Sequence, residues 1–279
     1  LAAEHIEFAP TTEHNRIYDW TPHIKKLGLE KEIYTVPGME LTGSGAHFNT
    51  FPLKPEPTKQ DGGAPVHERD PRLNAVNLKN WKDGDPARWI QINHPDMVFN
   101  FTDRNADGRP DGGFLGLPEL IDGIETENYA ASAILSGVPY RVSLYRGQER
   151  VYTIRQFMWL QLLNQGFPVV GVAVCDAHRI YGNGVGGWRM YAPSKSDNPW
   201  EIDWRENSRH AKEGRTILTT GPFLQVETGD GTLPGGTTRA HGSIDLKIHV
   251  QCTDWIDIDR VQILVNGRQL KSLNFTRKS

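Results

Sequence analysis

Up to about residue 222, short apolar segments alternate with stretches of helical spacing, and each apolar segment closes on a polar cluster. This alternation constrains the chain most, because strand–helix–strand order is the signature of an α/β layer or barrel with parallel strands. Strands are expected over Ile6–Thr12, Ile33–Pro37, Ala46–Leu53, Arg88–Asn93, Leu120–Thr126 and Pro168–Val174. The last, PVVGVAV, is apolar almost throughout, as in strands covered on both faces. Helices are expected over Tyr18–Leu29, stopped at Gly28, over Leu73–Trp81, over Thr153–Asn164, stopped at Gly166, and over Trp200–Gly214. After Gly221-Pro222 the texture changes: FLQVETG, SIDLKIHVQC, RVQILVN and RQLKSLNF are short strands with no helix between them, and Asn266-Gly267 is a hairpin signal. The reading is therefore an α/β unit over 1–222 and a small all-β module over 223–279.

Composition excludes several classes. Thirty-one Lys and Arg against 34 Asp and Glu give a net charge of −3, which offers no electrostatic case for nucleic acid as a partner. No run of 18 apolar residues exists, so no helical membrane span is expected. Two cysteines, Cys175 and Cys252, cannot build a disulfide framework. An apolar fraction of 37% suits a packed core.

The chemistry-bearing residues are not scattered. His14, Glu40, His94, Asp176 and His178 each follow the C-terminal end of an expected strand, and His47 opens one. In parallel α/β folds sites assemble at that end. Singly, each has a structural reading: His94-Pro95 is a strand stop, and Asp176 is a turn former. Together, imidazoles and carboxylates on one rim suit Zn, Mn or Fe. A second segment, Asp103, Asn105, Asp107 and Asp111, reads D-x-N-x-D-G-x-x-D and matches several calcium-loop positions, but Phe114 stands where the loop needs a bidentate Glu.

The ordered series TTEHN, VPGMELTGSGAHFN, INHP, IETEN and CDAH, followed by GGWRMY, resembles the polymerase-and-histidinol-phosphatase (PHP) superfamily, most of all its carbaryl-hydrolase-like metallohydrolase branch. The resemblance covers about residues 1–222. It implies a distorted (β/α)7 barrel with two or three divalent metals. It assigns ligand positions to His14, Glu40, His47, His94, Asp176 and His178. Two departures stand out: the family T-D-H-N motif has Glu13 in place of Asp, and the family's opening H-x-H strand has no counterpart in this sequence. The expectation is of a piece of something longer, lacking the first barrel strand.

The resemblance further implies a metal-dependent hydrolase of a phosphoester or a carboxylic or carbamic ester, attacked by a metal-bridging hydroxide. His178 or His14 passes a proton to the leaving group. Glu13, Asn15, Glu125, Asn128 and Arg189 orient ligands or substrate, although Arg189 reads equally as a structural ion pair. The rival reading is a non-catalytic extracellular binding domain with a degenerate barrel and a calcium loop. An amidohydrolase-type barrel would need a metal-bridging Lys that no expected strand end offers. The calcium-like loop and β tail point towards the periplasm or cell exterior. The partner is a small-molecule ester, and the oligomeric state is left open.

Overall fold

A computed structural model describes residues 1–43, 46–82, 84–95, 116–126, 140–145, 148–153, 155–179 and 184–277. Its centre is a mixed sheet of β1 (Met39–Leu41), β2 (His47–Phe51), β3 (Trp89–Asn93), β4 (Gly123–Glu125) and, beyond the hairpin of β5 (Tyr140–Tyr145) and β6 (Gln148–Thr153), β7 (Val170–Val172). The order is β1-β2-β3-β4-β7. β2 is antiparallel to both neighbours, whereas β3, β4 and β7 run parallel.

The segment 7–15 extends this sheet without forming a regular strand. It runs parallel to 34–40 through bonds from Tyr34 N to Glu7 O (2.7 Å), Ala9 N to Tyr34 O (3.1 Å), Thr11 N to Val36 O (3.0 Å), Glu40 N to Glu13 O (3.0 Å) and Asn15 N to Glu40 O (2.8 Å). Phe8 faces Tyr34 and His14 faces Glu40 in the same register. At Gly38 the Thr11 hydroxyl substitutes for a backbone partner: Gly38 N donates to it at 2.7 Å.

The expected (β/α)7 barrel does not form. The central sheet is open, only four α-helices occur among the described residues, and the remaining strands make separate two-stranded ribbons. The reason lies in the connections. β1 and β2 are joined by residues 42–46, too few for a crossover, so β2 has to return antiparallel. Further along, β8 (Arg189–Tyr191) pairs with β9 (Ile217–Thr219) as an antiparallel ribbon and does not extend the sheet from β7.

The helices start and stop where their ends are chemically satisfied. α1 (Thr21–Leu27) ends on Gly28 in the left-handed conformation (φ 69°). α2 (Pro71–Lys79) and α4 (Trp204–Lys212) begin on Asp70 and Asp203, whose carboxylates accept from the N–H groups of Arg72 and Arg205. α3 (Arg155–Asn164) buries Met158 and Leu162, one turn apart.

Both sheet faces are covered. Met39, Leu41, Phe48, Ile90, Ile92 and Ile124 pack with Ala75 and Leu78 of α2 and Met158 and Leu162 of α3. The alternate positions Phe51, Trp89, Val170 and Val172 pack with Val36 and Ala211 of α4. Trp89 lies so close over Gly123 that a Cβ there would meet its ring at 2.5 Å.

Beyond Pro222 the described residues form short antiparallel ribbons and a single 3-10 turn. β10 (Phe223–Thr228) pairs with β11 (Leu246–Gln251), β12 (Arg260–Val261) with β15 (Phe275–Thr276), and β13 (Leu264–Val265) with β14 (Arg268–Gln269). The β13–β14 turn is Asn266-Gly267, both at positive φ (50° and 71°). No helix among the described residues is long and apolar enough to cross a membrane.

Candidate metal centre

The strand directions bring the candidate ligands together. Segment 7–15, β1, β3, β4 and β7 all point the same way, so their C-terminal ends share one rim. β2 points the opposite way, so its first residue, His47, lies on that same rim. An open sheet thus achieves the convergence for which a barrel was expected.

Glu40 is the hub, 4% exposed in the middle of β1. Its Oε1 lies 3.3 Å from His47 Nδ1 and 3.8 Å from His94 Nε2. Its Oε2 lies 3.2 Å from His14 Nδ1. The imidazoles meet in two pairs: His94 Nε2 is 2.7 Å from His47 Nδ1, and His14 Nε2 is 3.1 Å from His178 Nε2. Asp176 spans both sides, with one oxygen 3.9 Å from His94 Nδ1 and the other 3.6 Å from His178 Nδ1. All six ligand positions named from the sequence therefore fall in one connected cluster.

Ligand atoms of Glu40, His47 and His94 all lie within 4.8 Å of one another, so this trio could hold a metal ion. The donor set fits: one carboxylate and two imidazoles, without thiolate, is borderline-to-hard and suits a first-row divalent ion. Burial pushes the thiol of Cys175, next to Asp176 in the sequence, above its usual range.

Two of these residues carry unusual backbone. His94 (φ 25°) and Asp176 (φ 45°) adopt positive φ, which costs a non-glycine residue free energy and aims the side chain off the run of the strand. Carboxylates hold His94 in place: Glu125 accepts from the His94 backbone N–H and sits 3.3 Å from its Nδ1. That contact, aided by the charges of Glu125, Glu40 and Asp176, holds the His94 imidazole above its ordinary pKa despite partial burial.

The supporting residues divide. Asn15 clamps the end of β1, its amide donating to Thr42 O (3.0 Å) and its carbonyl accepting from Thr42 N (2.8 Å). Glu13 accepts from the Trp20 indole at 2.5 Å, while its other oxygen is buried and has no hydrogen-bond partner among the described residues. Arg189 is engaged by Gly186 O (2.7 Å), Glu4 O (3.0 Å) and the Glu4 carboxylate (3.8 Å), which is the ion-pair reading of that residue. Asn128 and the calcium-like Asp103, Asn105, Asp107 and Asp111 lie outside the described residues.

Two contributors escape a reading of the sequence. Thr42 places its hydroxyl 2.6 Å from His14 Nδ1, and Asn93 donates to Glu40 Oε1 at 3.0 Å. The available signal was the period-2 polar series of Gln91 and Asn93 inside an otherwise apolar strand. Compared with protein-family models, curated proteins and solved structures, the chain matches none.

Proposed function

We propose that this chain is a PHP-type metal-dependent hydrolase acting on a phosphoester or a carboxylic or carbamic ester. The observation that carries the reading is the division of Glu40: one oxygen faces the His47–His94 pair and the other faces His14, beside His178. A carboxylate shared in this way is suited to bridging two cations. His47 and His94 would hold one ion, and His14 and His178 a second, with Asp176 between them. Bound divalent ions would supply Lewis acidity and bring the pKa of water towards neutrality.

The chain's own residues do the rest. Buried Glu40 presents both its oxygens to imidazoles, an arrangement of donors suited to cations. Glu125 fixes the ring of His94 from behind, the arrangement that sets tautomer and orientation in metal-binding histidines. His178 and His14 stand at the open side, with side chains 57% and 46% exposed. From there either ring, when it does not hold an ion, can pass a proton to a leaving oxygen reached from solvent.

The test is metal content and turnover together. Wild-type protein purified with Zn(II) or Mn(II) is expected to retain metal by elemental analysis and to cleave chromogenic phosphate or carboxylate esters. Glu40→Ala and His94→Ala are expected to lose both. Unchanged metal content in these variants overturns the reading, and metal retention without turnover of any ester favours a binding domain.

A further inference from the structure

One face of β3 carries a buried polar chain that ends on Glu40. The Trp89 indole donates to Gln91 Oε1 (3.1 Å), Gln91 Nε2 donates to Asn93 Oδ1 (2.7 Å), and Asn93 Nδ2 donates to Glu40 Oε1 (3.0 Å). Trp89, Gln91, Asn93 and Glu40 are 3%, 6%, 6% and 4% exposed. Positions 89, 91 and 93 share a face because strand side chains alternate. The direction of the chain is fixed at both ends. An indole N–H can only donate, and an ionised carboxylate can only accept. Each amide between them therefore has one workable orientation.

We infer that Asn93, Gln91 and Trp89 are positioning residues for Glu40: a one-way hydrogen-bond chain along β3 holds Oε1 of Glu40 towards the His47–His94 pair and so sets the metal affinity of the site. This rests on the metal-site reading above. The chemistry favours amides in this place. A Lys or Arg would hold the carboxylate but cancel the charge that a cation needs. A neutral amide donates one hydrogen bond and leaves that charge intact. An amide can also present its oxygen, which would repel Glu40, and this is what the upstream residues prevent. Gln91 occupies Asn93 Oδ1, so a flip of Asn93 would set its NH2 against the NH2 of Gln91. Trp89 locks Gln91 by the same logic.

The experiment measures Co(II) and Zn(II) affinity of the full chain by competition with a chromophoric chelator, and thermal unfolding of the same metal-free samples. Asn93→Leu keeps the size of the side chain but leaves Glu40 Oε1 without its donor; binding is expected to weaken about 10-fold or more. Gln91→Met never touches Glu40, yet is expected to weaken binding severalfold. Trp89→Phe, which keeps the ring stacked on Phe51, is expected to weaken it least. Adding Gln91→Met to Asn93→Leu is expected to bring no further loss, since the chain is already cut. A merely structural chain would lower the unfolding temperature and leave affinity at the wild-type value, and that result overturns the inference. If Asn93→Leu does not fold, Gln91→Met decides; if neither folds, Trp89→Phe decides. Wild-type protein that binds neither ion overturns the metal-site reading itself, and this inference with it.

Discussion

His94 Nε2 and His47 Nδ1 stand 2.7 Å apart, close enough to share one proton. To hold a divalent ion together, both rings would have to give up that shared proton, since only a neutral imidazole nitrogen ligates. In 15N-labelled protein, Zn(II) is expected to shift the ring-nitrogen resonances of both residues together. His47→Ala is expected to abolish the shift at His94. Resonances that ignore Zn(II) would make the pair an ordinary structural hydrogen bond.

Acid should compete with metal at this site. Glu125 holds His94 protonated above the usual 6.5, so in the metal-free protein its contribution to stability is complete below that value. The contribution fades as pH rises through the raised folded-state value. Metal needs the neutral ring, so metal affinity has the opposite slope and climbs over the same window. Glu125→Gln, which removes the strongest of these influences, should move the His94 titration in the metal-free protein downward and let metal bind at lower pH. An NMR titration that finds His94 at the same midpoint in both proteins would contradict this.

Gly38 should tolerate no side chain. A Cβ there would sit 2.5 Å from Thr50 O and 2.6 Å from Thr11 O, both backbone atoms that cannot swing aside. Gly38→Ala is expected to cost about 1–3 kcal/mol. Thermal unfolding would show this as a fall of several degrees. Because Gly38 lies two residues before Glu40, metal affinity should fall as well. Wild-type stability would mean that the strands part easily at this point.

Arg205 of α4 grips Asp85, just ahead of β3, with two bonds of 3.0 and 2.8 Å. This guanidinium holds the Asp85 carboxyl below its ordinary 3.8. A depressed carboxyl stabilises the fold above its unfolded pKa, so the contribution is present at neutral pH and is lost as pH falls below about 3.8. Since Arg205 is half exposed, Asp85→Asn should cost only about 0.2–1 kcal/mol at pH 7. The difference from wild type should vanish in acid. Denaturant titrations at pH 7 and at steps of falling pH below 3.8 follow the loss.

Much of the local structure is legible in the sequence, because its causes are local. Gly28 ends α1 and Asn266-Gly267 turns the β13–β14 hairpin through their own backbone preferences, whereas the helices expected from Leu73 and Trp200 begin at Pro71 and Trp204, behind the caps Asp70 and Asp203. The alternation of Met39, Glu40 and Leu41, or of Ile90, Gln91 and Ile92, marks strands. It does not say which polar positions are buried. Gln91 and Asn93 are buried because residues from α4 and the neighbouring strands cover that face.

Sequence patterning placed His14, His94, Asp176 and His178 past the ends of extended segments and His47 at the start of one; Glu40, expected beyond a strand over 33–37, instead sits inside β1. That these segments meet, and on an open sheet in place of the expected barrel, follows from long-range packing. His14 and His178 touch across 164 residues of chain. Strand propensity acts over a few residues and cannot choose a strand's partner or direction. Those were chosen by the short β1–β2 link, which forces an antiparallel return, and by burial of both faces of the resulting sheet.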